Sequence, residues 1–133
     1  MKIAMICFTM TGLTTGEKLR EAFLKDGEEV TLEGKSRYLP DSITATTSQW
    51  AEKKFRDHTD AIIFIGACGI AVRSIAPYIA GKKTDPAVLV IDECGKFVIS
   101  LLSGHLGGAN ELALRAAGYL QAVPVVTTAT DLH

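Results

Sequence analysis

The sequence has no excess of either charge and no long apolar run, and these absences exclude several classes of protein. It carries 14 basic and 15 acidic residues, a formal net charge of -1, so no general positive field attracts nucleic acid or an anionic membrane. The first apolar run, residues 3–8, is far shorter than the roughly 20 residues of a membrane span and is unlike a secretory signal. We therefore expect a cytoplasmic protein that binds neither nucleic acid nor a membrane.

Cysteine is scarce and shows no pairing pattern. Cys7, Cys68 and Cys94 are far apart, form no CxxC pair and have no histidine at a zinc-ligand spacing. This pattern favours a reducing compartment and predicts no structural metal. We expect each of the three side chains to be a small buried hydrophobic group.

The composition is that of one globular domain. The 133 residues are 47% hydrophobic and 22% charged, enough to bury a continuous core and too few for two domains. Apolar segments of strand length alternate with segments of helical periodicity. Strands are predicted at residues 3–8, 29–33, 61–65, 87–91, 97–102 and 123–127.

This alternation predicts an α/β fold with an open, mostly parallel, Rossmann-like sheet and helices on both faces, because parallel neighbours need crossover helices. Residues 92–95 resemble a hairpin turn, so one antiparallel pair is expected. Thr14, in a capping box with Glu17, and Ser48 are the predicted N-caps of the first two helices. Two further helices are predicted after the glycine turns that begin at Gly66 and Ser103.

Loops at the carboxyl ends of parallel strands meet at one edge of the sheet, where ligands bind. Polar and glycine-rich segments follow several of the predicted strands. We expect them to share that edge and to form the ligand site. They are residues 9–16, 66–73, 103–111 and 127–131.

The first two of these segments contain candidate ligand-binding residues. Thr11 and Gly12 precede a predicted helix N-terminus, which attracts anions. Gly66 and Gly69 allow close approach of a ligand to the backbone, and Arg73 can clamp a carboxylate. Both segments are equally compatible with plain strand-to-helix turns.

Residues 103–111 read SGHLGGANE and form the most unusual segment of the chain. His105 is the candidate general base, because imidazole changes protonation near neutral pH. Glu111 is the second catalytic candidate, and it can orient His105 or a ligand. The alternative is a histidine and a glutamate that cap or pack the helix. Further candidate ligand-binding residues here and in the last loop are Ser103, Gly104, Gly107, Gly108, Asn110 and Thr128.

Lys82 and Lys83 stand before a turn closed by Pro86 and add positive charge near Arg73 in the sequence. Such a pair is usually part of a solvated loop. It acquires a binding role only if the ligand is a polyanion.

Five segments in order resemble the N-terminal region of the CbiG family, the cobalt-precorrin-5A hydrolases of cobalamin biosynthesis. The resemblance extends from about Asp60 to Asp131 and is looser before it. It implies opening of a lactone on a cobalt-bearing tetrapyrrole with release of acetaldehyde. It also implies a longer protein in which residues 1–133 are the N-terminal domain and a C-terminal domain is the partner. The segments are GACGIAVR (66–73), KKTDPAV (82–88), DE (92–93), SLLSGH (100–105) and GGANELA (107–113).

For this chemistry, His105 is the candidate to activate water, and the backbone N–H groups of Gly107 and Gly108 are candidates to stabilise the oxyanion. The carboxylates of the substrate give Arg73, Lys82 and Lys83 a reason to bind it. Cobalt arrives inside the macrocycle, so we expect no cofactor and no metal ligands in the protein.

Two other functions remain open. One is a non-catalytic module that binds a cobalt tetrapyrrole, and the other is a nucleotide- or phosphate-binding domain that uses residues 9–16. A homo-oligomer is also open, because a short sheet exposes strand edges.

Overall fold

A computed structural model describes residues 1–129 of the chain. Four helices and a short 3-10 helix, Ala76–Tyr78, connect six strands. The strands are β1 (Lys2–Cys7), β2 (Glu29–Gly34), β3 (Ala61–Ile65), β4 (Ala87–Ile91), β5 (Phe97–Leu102) and β6 (Val123–Val125). The helices are α1 (Met10–Lys25), α2 (Thr47–Arg56), α3 (Cys68–Ile75) and α4 (Ala109–Leu120).

The strands form one sheet in the order β2-β1-β3-β4-β5-β6. The first four strands in this order are parallel, β5 is antiparallel to β4, and β6 is parallel to β5. The hairpin is built around Asp92, whose carboxylate accepts hydrogen bonds from the backbone N–H groups of Cys94, Lys96 and Phe97. The predicted α/β class and the predicted antiparallel pair are both confirmed.

The helices cover the two faces of the sheet in pairs. On one face, α1 and α4 bury Leu19 and Leu112 against the strands. On the other face, α2 and α3 bury Trp50 and Ile75, and the Trp50 ring meets the edge of Phe64 at a centroid distance of 5.8 Å. Full burial of an apolar side chain of this size stabilises the fold by about 1.5–3 kcal/mol. On this second face, neither α2 nor α3 covers β5 and β6.

The first two helices begin earlier than predicted. Thr9 is the N-cap of α1, and its Oγ1 accepts a hydrogen bond from Gly12 N at 2.9 Å. Thr46 is the N-cap of α2 and forms a capping box with Gln49. The predicted caps at Thr14 and Ser48 are therefore wrong, because both residues lie inside helices.

The cysteines differ in their burial. Cys7 is buried in the sheet, and burial raises the pKa of its thiol. Cys68 opens α3 and Cys94 lies in the hairpin, and both are exposed. The expectation of three buried cysteines is confirmed for Cys7 and wrong for the other two. Among residues 1–129, no helix has the length and apolar character needed to cross a membrane.

Candidate functional site

The antiparallel β4–β5 pair places the predicted site residues at opposite edges of the sheet. We call the edge where β1, β3 and β4 end the carboxyl edge, and the edge where they begin the amino edge. Leu102, at the end of β5, pairs with Val88 at the start of β4. The loop that follows β5 therefore lies at the amino edge. The expectation that all four loops share one edge is wrong.

The two edges are separated by the length of β3, roughly 16 Å for five residues at about 3.3 Å each. Thr130 and Asp131, part of the predicted last loop, lie outside the described residues. The carboxyl edge holds Thr11, Gly12, Gly66, Gly69 and Arg73. The amino edge holds Lys82, Lys83, Ser103, Gly104, His105, Gly107, Gly108, Asn110, Glu111 and Thr128.

Residues 103–108, which we call the Ser103 turn, connect β5 to α4 through a strained backbone. Ser103 has a φ of 62° and Gly108 a φ of 82°, in the left-handed region that costs a residue with a side chain about 1 kcal/mol or more. A methyl group at Gly107 would lie 2.4 Å from Ser103 Cβ and 2.9 Å from its backbone oxygen. This fold of the turn thus requires glycine at Gly107.

The turn satisfies the first backbone donors of α4 internally. Ala109 N donates to Ser103 O at 3.1 Å, and Asn110 N donates to Gly104 O at 3.0 Å. Gly108 N donates to His105 O at 3.2 Å. The predicted pair of oxyanion donors is therefore wrong for Gly108, whose N–H is already bonded, and Gly107 remains the candidate.

Asn110 fixes the turn to the neighbouring elements. It is only 7% exposed. Its Oδ1 accepts a hydrogen bond from Ser100 Oγ at 2.7 Å, and its Nδ2 donates to Thr128 Oγ1 at 2.9 Å. A methyl group at Gly104 would lie 2.8 Å from the same Oδ1. Asn110 thus has a structural role, and the ligand contact expected of it and of Thr128 stays a prediction.

His105 and Leu106 occupy the tip of the turn and are exposed, and Glu111 is exposed in the first turn of α4. Strained backbone conformations persist where the surrounding contacts enforce them, and they are concentrated at functional sites. The bonds of Asn110 and the close fit of Gly107 supply that enforcement. The turn is consequently a rigid platform that presents an imidazole at the amino edge.

A second loop at this edge, residues 79–86, carries the two lysines, and we call it the dilysine loop. The buried carboxylate of Asp85 accepts hydrogen bonds from Ala80 N at 3.0 Å and Gly81 N at 3.2 Å. The backbone oxygen of Asp85 also accepts a hydrogen bond from Ser103 Oγ at 3.3 Å. Sequence reasoning missed Asp85, and its only local signal is an aspartate before the proline that precedes a strand.

The dilysine loop and the Ser103 turn border one cavity of about 390 Å³. The loop contributes Thr84 and Pro86 to its wall, and the turn contributes Leu106 and Gly107. The predicted closeness of Lys82 and Lys83 to Arg73 is not observed. The loop that carries the lysines is bonded to the Ser103 turn instead, through Asp85.

The carboxyl edge has a different character. A cavity of about 320 Å³ lies between the ends of β1 and β3, where its lining includes Phe8, Ile65 and Ile70. Glu93 also lines it, and its carboxylate accepts a hydrogen bond from the hydroxyl of Thr9, the cap of α1, at 2.6 Å. This carboxylate repels an anion from the helix N-terminus, which argues against the phosphate-binding alternative.

The glycines at the carboxyl edge are explained by packing. A methyl group at Gly66 would lie 2.9 Å from the Phe8 ring. At Gly69, a methyl group would lie 3.2 Å from a guanidinium nitrogen of Arg73. Arg73 therefore folds back over the start of α3. Gly12 is buried inside α1 with its N–H bonded to Thr9, so Thr9 caps the helix and residues 10–16 belong to it rather than to a ligand loop.

Comparison with known proteins identifies the family of the chain. The chain is 48% identical over 98% of its length to the cobalt-precorrin-5A hydrolase of Salmonella typhimurium. It is 58% identical over 54% of its length to the cobalt-precorrin-5A hydrolase of Priestia megaterium. These matches span 36% and 19% of the two relatives, so the chain corresponds to about a third or less of their length.

A solved structure shows the same fold. It is the crystal structure of a cobalamin biosynthesis protein G homolog from Sulfolobus solfataricus, with a TM-score of 0.71 and 27% identity. The match covers 95% of this chain and 36% of that one. The family model for the N-terminal region of cobalamin synthesis G matches residues 49–131, more than half of the chain. The chain therefore belongs to the cobalamin synthesis G N-terminal family.

Proposed function

We propose that this chain is the N-terminal domain of a cobalt-precorrin-5A hydrolase, which opens the lactone of its cobalt-bearing substrate with release of acetaldehyde in the cytoplasm. The observation that carries the proposal is the 48% identity over 98% of the chain to the Salmonella enzyme named for this substrate. The chain spans 36% of that enzyme, so the complete activity is proposed for the longer protein. Cobalt enters as part of the substrate.

The charge distribution supports substrate binding at the amino edge. The exposed Lys82 and Lys83 lie in the loop that borders the cavity of about 390 Å³. Ammonium groups in this loop attract the carboxylate arms of a tetrapyrrole. The exposed Leu106 offers an apolar contact to the macrocycle. Both cavities are also lined by acidic residues, Asp60 and Asp85 at the amino edge and Asp92 and Glu93 at the carboxyl edge, so the preference for the amino edge rests on the two lysines.

Hydrolysis of a lactone needs a general base to activate water and a hydrogen-bond donor to stabilise the oxyanion. In the proposed step, His105 accepts a proton from water as the water oxygen adds to the lactone carbonyl. Gly107 N–H then donates to the oxyanion, and the tetrahedral intermediate collapses by breaking the ring C–O bond, which leaves a carboxylate and a hydroxyl group. A positioned general base contributes about 10²–10⁴-fold to such a rate. The alcohol oxygen takes up the proton held by His105 as the ring opens. Release of acetaldehyde is a second step, in which the hydroxyl group loses its proton, the aldehyde C=O forms and the C–C bond to the macrocycle breaks, and the macrocycle keeps the electron pair and takes up a proton.

A non-catalytic role for this domain is the second candidate. It is favoured by the 36% share of the Salmonella relative that the chain covers, because catalytic groups can lie in the remaining part. In that case the amino edge binds the tetrapyrrole, and catalytic groups in the remaining part of the longer protein carry out the reaction.

The test uses cobalt-precorrin-5A with two proteins. One is the chain alone, and the other is the Salmonella hydrolase with this chain in place of the segment it matches. Acetaldehyde release reports turnover, and spectral titration reports binding. We expect His105→Ala to reduce turnover by about 10²–10⁴-fold with little change in binding. The control is Lys18→Ala on the exposed side of α1.

Each outcome discriminates between the two roles. Unchanged turnover of His105→Ala contradicts the base assignment and favours the binding module. If the Salmonella hydrolase that carries this chain folds but neither binds nor converts the substrate, the proposed function is contradicted altogether. Turnover by the chain alone excludes the non-catalytic alternative.

A further inference from the structure

An uncovered apolar surface lies on β5 and β6. Phe97, Ile99 and Leu101 alternate along β5 and so project from one face of the sheet, where Ile99 and Leu101 pack against the core on the α2–α3 side. Val123 and Val125 are the register partners of Phe97 and Ile99 and lie on the same face. We call these five residues the β5–β6 face. Phe97 is 48% exposed and Val123 is 55% exposed.

The position of α3 leaves this surface open. Ser74 lies on the side of α3 that meets α2, where Ser48 Oγ donates to Ser74 O at 3.5 Å. Val72 is about 200° away around the helix axis, on the side directed away from α2, and it is 48% exposed. Val72 is thus an exposed apolar side chain on the side of α3 that α2 does not cover.

The chemistry of the surface favours protein over the substrate as its occupant. None of its side chains, all of which belong to the described residues, carries a charge or a hydrogen-bonding group. A tetrapyrrole with many carboxylates gains no ionic contact there. A contiguous exposed apolar surface of this kind marks a site of contact with protein.

Pairing of a second copy along the strand edge is also disfavoured. β6 is the edge strand of the sheet, and its central residue is Pro124. Proline lacks the N–H group that an added strand needs, and it protects sheet edges from such pairing. Contact is consequently expected through the side chains of the face rather than through the backbone of the edge.

We infer that the β5–β6 face docks against the remaining part of the polypeptide in the longer hydrolases. The chain covers only 36% of the Salmonella relative and 36% of the Sulfolobus chain, so most of each relative lies outside this fold. β6 is the last strand of the sheet and belongs to the face itself. The chain leaves β6 at the amino edge, where Thr128 is bonded to Asn110, so the polypeptide that follows this fold in a relative continues from the end of β6 opposite Phe97 and Val123, roughly 10 Å away for a strand of three residues.

The occupant is an apolar surface of that following polypeptide, packed against Phe97 and Val123. The inference rests on the family assignment and on the length of the relatives. It does not rest on the proposed hydrolysis. The two parts of a longer hydrolase can pack together whether the amino edge catalyses the reaction or only binds the tetrapyrrole.

The test measures the reactivity of an introduced thiol. In a Cys68→Ser, Cys94→Ser background, Phe97→Cys is placed in the face, and Leu24→Cys, at a 50% exposed site on α1, is the matched control. Both are made in the chain alone and in the Salmonella hydrolase that carries this chain in place of its own segment. We expect Phe97→Cys to react with a thiol reagent at least about tenfold more slowly in the longer protein, because interface cores exclude solvent. Leu24→Cys reacts equally in both.

Equal reactivity of Phe97→Cys in both proteins overturns the inference. Protection that already exists in the chain alone and increases with its concentration assigns the face to a second copy and also overturns it. If the hybrid protein does not fold, cysteines are introduced at the two equivalent positions of the Salmonella hydrolase's own segment and labelled there. No substrate is added in any arm, so the result is independent of turnover.

Discussion

Ser103 Oγ donates a hydrogen bond to the backbone oxygen of Asp85, at 3.3 Å. The contact connects the end of β5 to the start of β4 across the amino edge. Because the Asp85 carboxylate also binds the backbone N–H groups of the dilysine loop, one residue fixes both that loop and the turn that carries His105. The turn that carries His105 and the loop that carries the two lysines, more than 20 positions apart in the sequence, thereby border one cavity.

The tight fold of the Ser103 turn predicts opposite effects for two glycine substitutions. Gly107→Ala places a methyl group 2.4 Å from Ser103 Cβ, and overpacking of this kind costs about 1–3 kcal/mol. Gly118 lies on the exposed side of α4 with no atom within 4 Å of the added methyl group. Gly118→Ala should stabilise the helix by about 0.5–1 kcal/mol. Urea unfolding of both variants measures the difference, and equal effects would contradict the description of the turn.

The buried amide of Asn110 predicts a coupled loss of stability. Asn110→Leu keeps the volume of the side chain but removes the partners of Ser100 Oγ and Thr128 Oγ1. Leaving such groups without these bonds costs about 1–3 kcal/mol. In a double-mutant cycle followed by thermal unfolding, Ser100→Ala should cost less in the Asn110→Leu background than in the parent. Strict additivity of the two changes would exclude the Ser100–Asn110 bond as a stabilising contact.

The amino terminus predicts a pH-dependent contribution to stability. The Met1 ammonium group donates to Glu28 Oε1 at 2.7 Å, and Arg115 binds Glu28 Oε2 at 2.7 Å. The hydrogen bond from the ammonium group, followed by the one from Arg115, holds the pKa of Glu28 below its ordinary value of 4.5. A lowered carboxyl pKa stabilises the fold above that ordinary value, and the contribution is lost as the pH falls through the folded-state pKa.

Glu28→Gln should therefore be less stable than the parent at pH 6–7, and the difference should shrink in acid. On the alkaline side, the same hydrogen bond raises the pKa of the Met1 ammonium group above 8.0. Its contribution is full below 8.0 and is lost as the pH rises through the raised value. Unfolding is measured on a chain with a free, unextended amino terminus. Glu21→Gln, which removes only an exposed pair with Lys25, is the control, and an equal pH dependence in both variants would refute the assignment.

Much of the fold was predictable because the buried strands are continuous apolar runs. Residues 61–65 and 87–91 have no polar alternation, and the structure confirms both as strands buried on both faces. The helix starts were less predictable, because several hydroxyl residues compete as caps near Thr9 and near Thr46. In the structure Thr9 and Thr46 are the caps, because their hydroxyl oxygens accept hydrogen bonds from Gly12 N and Gln49 N.

The edge at which the Ser103 turn lies was predicted wrongly, whereas the roles of its residues remain predictions. The hairpin at residues 92–95 was expected, and it reverses the direction of β5. That reversal moves the Ser103 turn to the edge opposite Arg73. Local pattern cannot reveal such a consequence, because it depends on the pairing of strands that are distant in the sequence. The hydrogen bonds from Gly108 N to His105 O and from Asn110 N to Gly104 O could not be predicted either, because they form only in the folded turn.

The most direct measurement of the proposed site compares charge removal at the two edges. Cobalt-precorrin-5A is titrated spectrally into the Lys82→Ala/Lys83→Ala double variant and into Arg73→Ala, each in the Salmonella hydrolase carrying this chain. Loss of the two lysine contacts should weaken binding by about tenfold or more, since charge-assisted bonds contribute about 1.5–3 kcal/mol. Arg73→Ala should leave the affinity within about twofold, because a distant exposed charge contributes little through solvent. The reverse order, with Arg73→Ala weakening binding and the lysine variant unaffected, would place the substrate at the carboxyl edge and contradict the proposed site.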